Sequence, residues 1–406
     1  AAAIAAARAG QTVTVLERGR RPLKKLGVTG NGRGNLLNAG APDYPGGADF
    51  AAQVLAAMPY ERLAAFWEDL GVPLRLEEEG RVYPASFLAS AAVDALLLAA
   101  RRLNVEIIVN ARAAELVRLP GGGFEARGTV CRYLPDVSKK NGKARPGALA
   151  EETPARWRGD RVIVAAGGAA APAHGTDGGA YGLLTAFGHA LTPPRPALCA
   201  LLADPEPLRA LAGQRVRAAL RLLDARGACL AESRGEALFA PDGVSGIAAM
   251  QLARWWKPGS ALRMDLREAV LGLSAAEGGG PEALTETERL LRLRAQRRDG
   301  CPLSELLTGA ASPALNDALL RAAGLERHSR EPLRQLLSAR PGALAQLARA
   351  IADFPVSVTG TRGFDAAQVT AGGAATGGFD PRTLQSRLCP GLYAAGEVLD
   401  VDGACG

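Results

Sequence analysis

The chain predicts an α/β fold, in which a parallel nucleotide-binding type of sheet is interrupted by an inserted β plus helical domain. Three observations carry this. An apolar strand, Val13 to Leu16, ends in an acid, Glu17, and opens into a loop bearing Gly27, Gly30, Gly32 and Gly34. A second apolar strand starts at Arg161 and ends in Ala165-Ala166-Gly167-Gly168. From about Pro193 the texture changes to alternating strands followed by amphipathic helices, before another glycine-rich strand end at Gly391 to Gly403.

A carboxylate at the carboxyl end of a parallel strand can accept hydrogen bonds from the two hydroxyls of a ribose. Glycines let backbone amides come close to an anionic ligand. An acid ending a strand is also what a solvated turn would show. Four glycines within eight residues, with Arg33 and Asn35 among them, are harder to explain that way. Ala1 to Gly10 reads as the latter part of a helix closed by a glycine. In a dinucleotide-binding fold a strand and a glycine turn come first, and the acid follows the glycines by about 20 residues. Glu17 is in register with a turn just before Ala1, so the sequence is expected to lack that first strand and turn, and to stop at Gly406 inside a motif.

Asp49 to Leu70 is expected to be one helix, with Val54, Leu55, Met58, Leu63, Phe66 and Trp67 on its apolar positions. Leu74 to Glu77 and Gly80 to Pro84 read as short strands around a turn. Ser90 to Leu103 reads as a helix and Val105 to Asn110 as a strand. Glu115 to Arg161 suggests a β-meander carrying an exposed, Pro/Gly-rich insertion, Pro135 to Pro154, with a solvated basic cluster. Arg215 to Asp224, Cys229 to Ser233, Gly235 to Phe239 and Ala261 to Leu266 read as strands. Glu282 to Arg298, Ser312 to Ala323 and Glu331 to Phe354 read as helices. The expected division is 1–192 for the first part of the nucleotide-binding domain, 193–353 for the insert (β unit 193–270, helices 280–353), and 354–406 for the return.

The net charge of +7 raises the question of a nucleic-acid partner, but the arginines are dispersed, which argues against one. Six cysteines without a CxxC spacing, and three histidines, argue against a zinc site or a dithiol pair. A reducing cytoplasm is the default compartment. The longest apolar run, Phe87 to Ala100, contains Asp94 and is too short to span a bilayer. His174 and His189 are the acid–base candidates, although a histidine in a glycine-rich loop is more often a turn residue.

The run K-K-L-G-V-T-G-N-G-R-G-N, Lys24 to Asn35, resembles the signature of the HI0933-like, or BaiN-type, NAD(P)/FAD-dependent flavoproteins. Members usually show a cysteine where Gly34 stands here. G-R-V-Y-P (Gly80 to Pro84) and H-G-T-D-G-G-A-Y (His174 to Tyr181) follow the same pattern, as does Gly235 to Gly246, with Ala240-Pro241 in place of a Thr-His pair. A-Q-V-T-A-G-G (Ala367 to Gly373) and G-L-Y-A-A-G-E-V-L-D-V-D-G (Gly391 to Gly403) match most closely. The resemblance implies a Rossmann-like FAD-binding domain of the two-dinucleotide-binding flavoprotein type. Such flavoproteins carry A-T-G-G where this chain has Ala165-Ala166-Gly167-Gly168.

By that resemblance FAD is the cofactor. Glu17, with Arg18 beside it, would hold the adenosine ribose, and backbone near Ala113 would read the adenine edge. Thr29, Gly30, Gly32, Arg33 and Asn35 would line the pyrophosphate and isoalloxazine side, with Arg33 balancing phosphate charge. Ala166, Gly167 and Gly168 would permit close approach, and Gly396, Glu397, Asp402 and Gly403 would close over the ribityl chain and flavin. The implied activity is an FAD-dependent oxidoreductase acting on a small organic substrate that enters between the two regions, with NAD(P)H as transient reductant. No catalytic side chain and no metal site is assigned. An aminoacetone-type amine oxidase using oxygen, a tRNA-modifying flavoprotein and an inactive fragment stay open as alternatives.

Overall fold

The computed structural model describes residues 1–40, 43–134, 147–273 and 281–404. These form two compact units, one of Ala1–Arg195 with Val369–Gly406 and one of Pro196–Gln368. In the first unit the acid-tipped strand Thr14–Glu17 pairs in parallel with Glu106–Val109, Glu17 lying opposite Val109. The helix Ala89–Arg102 lies on the connection between them and buries Ala89, Ala92, Leu96 and Ala100, one face at helical spacing. A second parallel pair joins Val162–Val164 to Leu392–Ala394, so both glycine-rich strand ends lie side by side. Phe124, Val164, Leu184, Phe379, Leu392 and Val398 share the core beneath them.

The expected helix Asp49 to Leu70 is two helices, Ala48–Ala57 and Tyr60–Asp69. Pro59 is the cause: it holds Met58 out of helical geometry and has no N–H to continue the ladder. The meander is present as Ala111–Arg118, Phe124–Tyr133 and Leu149–Gly159, all antiparallel. Much of the expected insertion, with its basic cluster, lies outside the described residues. The part from Leu149 onward is edge strand rather than loop.

The second unit contains a closed six-stranded barrel. Its strands run in the order Leu201–Ala203, Gly243–Ser245, Cys229–Ala240, Arg215–Leu223, Ala261–Asp265, Phe354–Thr361. Val216, Ala218, Leu220 and Leu222 point inward at period two, while Arg215, Arg217 and Arg221 point out. The expected helix Glu331 to Phe354 breaks at Arg340-Pro341-Gly342 into Leu333–Ala339 and Ala343–Ala352.

The boundary expected at residue 354 moves. Phe354–Thr361 does not return to the first unit but closes the barrel by pairing with Leu201–Ala203 and Ala261–Asp265. Its burial alternates, Phe354, Val356 and Val358 inside with Pro355 and Ser357 outside, which is the pattern of a one-sided barrel strand. The insert therefore runs to Gln368.

Leu220→Ala, at a fully buried barrel position, should cost this unit about 2–5 kcal/mol in chemical denaturation. Its neighbour Arg221→Ala, which loses an exposed pair with Asp353 at 2.9 Å, should cost about 0–1 kcal/mol. Equal losses would contradict the inward and outward assignment.

Candidate functional site

The candidate residues of the first unit fall on loops that leave the parallel strands. Glu17 ends its strand, and its Oε1 accepts the Gly19 N–H at 2.6 Å, which curls the next turn. Among the described residues nothing pairs with its Oε2. The Asn110 N–H donates to the Gly19 carbonyl at 3.0 Å, tying that turn to the segment that leads to Ala113. Ala113 sits beside a bulge, opposite Gly128. Arg18 reaches Asp177 of the His174 to Tyr181 motif and holds that carboxyl below the usual range.

The glycine loop Leu26–Gly32 is a tight helical turn broken in the middle. Thr29 is extended, and Gly30 and Asn31 are both left-handed with φ 57°. The Thr29 hydroxyl donates back to the Leu26 carbonyl at 2.8 Å. A side chain at Gly34 would be strained at φ +79° and would press within 3.0 Å of the Ala89 Cα at the start of the long helix. Packing and backbone conformation both favour glycine at this position. Gly32 is also left-handed, with open space around it. The Asn35 Oδ1 is buried without a partner among the described residues.

Four separate segments meet at one carboxylate. Glu397 Oε2 pairs with Lys25 Nζ at 2.8 Å, and Glu397 Oε1 accepts the Thr370 N–H at 2.8 Å. The Thr370 Oγ1 in turn accepts the Ala169 and Ala170 N–H groups at 2.8 and 3.0 Å. Lys25 also donates to the Ala170 carbonyl at 3.4 Å. A Cβ on Gly168 would collide with Thr370 Oγ1 and lie 2.8 Å from Glu397 Oε1, so only glycine fits there. Gly167 is left-handed and rests against Thr176, whose hydroxyl bonds the Gly168 carbonyl. Ala166 precedes them on the same turn.

Each oxygen of Glu397 is thus engaged within the protein. The carboxylate thereby ties the Lys25, Gly168 and Thr370 segments to the Gly396 turn. Asp402 is 4% exposed and its backbone bridges to Gly46, while Gly403 lies against Tyr44.

Lys25, Thr370 and Tyr181 join this site although their residue types did not single them out. Lys25 and Thr370 lie inside matched motifs, where they read as spacers between glycines. The Tyr181 hydroxyl is buried without a hydrogen bond of good geometry among the described residues. Its pKa is pushed up to about 12 by burial and by the Glu397 charge, against the opposing Thr370 hydroxyl.

Arg33 stands differently from the expectation. Its guanidinium lies 4.3 Å from the Phe87 ring centroid and 4.6 Å from that of Tyr83, with Glu77 at 3.9 Å. Part of its charge is already met. His189 is a structural histidine: it stacks on Phe379 at 4.2 Å and its Nε2 bonds the Ser386 hydroxyl at 2.8 Å. His174 is the last residue of the short turn Pro172–His174, its Nδ1 buried without a partner among the described residues.

The donor set suits a dinucleotide: an acid at a parallel-strand end, close-approach glycines, and buried polar atoms awaiting partners. Thr370→Val keeps the shape but strands the buried Ala170 N–H and the partly buried Ala169 N–H. It should cost about 1–3 kcal/mol in denaturation, and Thr370→Ser should recover most of it. Burial holds the His189 imidazole below its ordinary value of 6.5. The unfolded chain therefore takes up the proton first. Stability from this residue is complete above 6.5 and is lost as pH falls through that value toward the lower folded one. Denaturation midpoints between about pH 8 and about pH 5 should fall less steeply in His189→Gln than in the parent.

A family model described as HI0933-like protein Rossmann domain matches residues 1–406. The chain is 33% identical to the 3-dehydro-bile acid delta(4,6)-reductase of Clostridium scindens, over 100% of this chain and 91% of that protein. It is 28% identical to the ribosomal RNA dihydrouridine synthase of Escherichia coli, over 61% of this chain and 56% of that protein. The Haemophilus influenzae protein of the same description is 22% identical, over 98% and 89%. Among solved structures, the 3-ketosteroid-delta4-(5alpha)-dehydrogenase of Rhodococcus jostii RHA1 is 16% identical, covering 100% of this chain and 88% of its own, with a TM-score of 0.37. The motifs and the full-length match lead to one conclusion: the chain belongs to the HI0933-like Rossmann-domain family.

Proposed function

We propose that this chain is an FAD-dependent reductase that adds two hydrogens across a carbon–carbon double bond conjugated to a carbonyl, with NAD(P)H as reductant. One observation carries the reading, namely the chemistry common to the named relatives. A delta(4,6)-reductase of a 3-dehydro bile acid and a synthase that makes dihydrouridine both saturate a double bond conjugated to a carbonyl. A bound flavin supplies a two-electron hydride equivalent.

The protein's own part is to hold that group. Glu17 takes the ribose hydroxyls through its Oε2. The backbone of the Thr29 to Asn35 loop and of Ala166 to Gly168 approaches the phosphates and ring, and Gly396, Asp402 and Gly403 complete the enclosure. The Lys25–Glu397–Thr370 cluster fixes these turns relative to one another.

A small substrate is favoured by the match over the whole length to a small-molecule reductase. The dihydrouridine synthases favour a second reading, the same reduction performed on uridine in RNA. The exposed arginines of the meander argue against it. Arg127 and Arg158 are tied to the buried Glu125 at 2.8 and 2.9 Å, which leaves less charge for phosphates.

Purified protein soaked with FAD should show flavin bands, and anaerobic NADPH or NADH should bleach them. Adding 2-cyclohexen-1-one should restore the colour, and cyclohexanone should not. Recolouring only by an unmodified uridine-containing ribosomal RNA would move the substrate class to RNA. Peroxide formed from an amine without bleaching by NADPH would favour the oxidase. Absence of any flavin band would remove the reading.

A further inference from the structure

The G-R-V-Y-P strand has no role in holding FAD as drawn above, yet it builds a platform under Arg33. Arg81–Pro84 pairs with Leu37–Asn38, and the Leu36 N–H donates to the Val82 carbonyl at 2.9 Å, so the platform and the glycine loop are one body. Tyr83 is 7% exposed, and a Cβ on Gly30 would lie 3.1 Å from its ring. Phe87 stands 5.7 Å from Tyr83, tilted by 51°. Its backbone is left-handed at φ 53°, a conformation that bulky residues rarely adopt. Glu77 closes the side, 3.9 Å from Arg33 and 2.7 Å from Arg75.

We propose that Arg33 is a catalytic residue: it binds the carbonyl oxygen of the conjugated substrate and stabilises the negative charge that develops there. Tyr83, Phe87 and Glu77 are its positioning residues. The inference rests on the reductase reading above. The guanidinium carbon lies over both rings, an apolar contact that uses none of its N–H donors and leaves them for an oxygen acceptor. The side chain is 48% exposed, so those donors are reachable. Glu77 makes the place poor for a phosphate that is charged throughout. It suits a carbonyl that is neutral when bound and charged only in passage.

In the reaction, a hydride from the reduced cofactor forms a C–H bond at the β carbon. The alkene π pair moves toward the carbonyl, and the oxygen becomes an enolate held by Arg33. A proton from solvent then adds at the α carbon and the carbonyl reforms. NAD(P)H replaces the hydride.

The test uses FAD-loaded protein with Arg33→Met, Arg33→Lys, Phe87→Ala and Phe87→Tyr, and three readouts. These are FAD content with NADPH bleaching, recolouring by 2-cyclohexen-1-one, and the ionisation of added p-nitrophenol, an enolate mimic whose phenolate absorbs in the visible. Arg33→Met should keep FAD and bleaching, lose about 100- to 1000-fold in recolouring rate, and no longer favour the bound phenolate. Phe87→Ala should lose about fivefold, with Phe87→Tyr recovering most of it. Arg33→Lys, which keeps the charge without the planar fork, should bind FAD and fall between parent and Arg33→Met.

Recolouring by Arg33→Met at the parent rate would overturn the proposal. So would p-nitrophenol that ionises equally in both proteins or binds neither. Loss of FAD in both Arg33 variants would overturn it in favour of a phosphate contact. In each of these cases the parent still binds FAD and is bleached by NADPH, which separates this failure from a failure of the reductase reading.

Discussion

The Glu397 carboxylate is the constraint on which the first unit depends. A partly buried charge is costly unless it is paired and hydrogen-bonded. Here Lys25 comes from the start of the glycine loop and Thr370 from the strand that re-enters the unit after the barrel. Thr370 then orders the turn after Val162–Val164 through two amides. A single acid therefore aligns segments that lie far apart in the sequence. Lys25 and Glu397 keep 31% and 20% side-chain exposure, so solvent screens part of their attraction. The value of the pair lies more in where it places the chain than in the energy it adds.

Glycine follows from the same constraint. Gly168 is enclosed by the Thr370 hydroxyl and the Glu397 carboxylate, and Gly34 by the first turn of the long helix. At Gly168 the backbone passes where no Cβ fits, and at Gly34 a Cβ would be tight and its φ strained, for reasons internal to the protein. Glycines in these motifs thus answer two structural demands. Some let the loops pack on each other. Others, such as Gly32 and Gly396, have open space around them and a left-handed backbone, so conformation rather than packing calls for glycine there.

The sequence made the elements near the site legible because their cues are local. A strand ending in Glu17 and the glycine runs at 165–168 and 391–403 are recognisable without knowing what they touch. What stayed hidden needs distant partners. The alternation in Phe354–Thr361 is visible, but its place depends on pairing with Leu201–Ala203 across the whole insert. Thr370 looks like a spacer until Ala169, Ala170 and Glu397 surround it. The sequence shows Arg33 among glycines but not the Phe87 and Tyr83 rings that its guanidinium lies over. The helix breaks at Pro59 and at Pro341 were legible in principle. Apolar periodicity on both sides outweighed the missing N–H.

Charge is the remaining argument about substrate size. A net charge of +7 would serve an RNA ligand if the arginines stood free on one face. Many do not. Arg127 and Arg158 share the buried Glu125, Arg217 and Arg234 share Glu268, and Arg289 and Arg292 pair along their own helix. These pairs lower the local field and spread what is left over both units. A ligand that depends on releasing counterions gains little from such a surface. A small conjugated carbonyl compound asks for something else: one donor edge held in place near the cofactor. On the proposal made above, that donor is Arg33 on its aromatic platform, and the net charge plays no part in it.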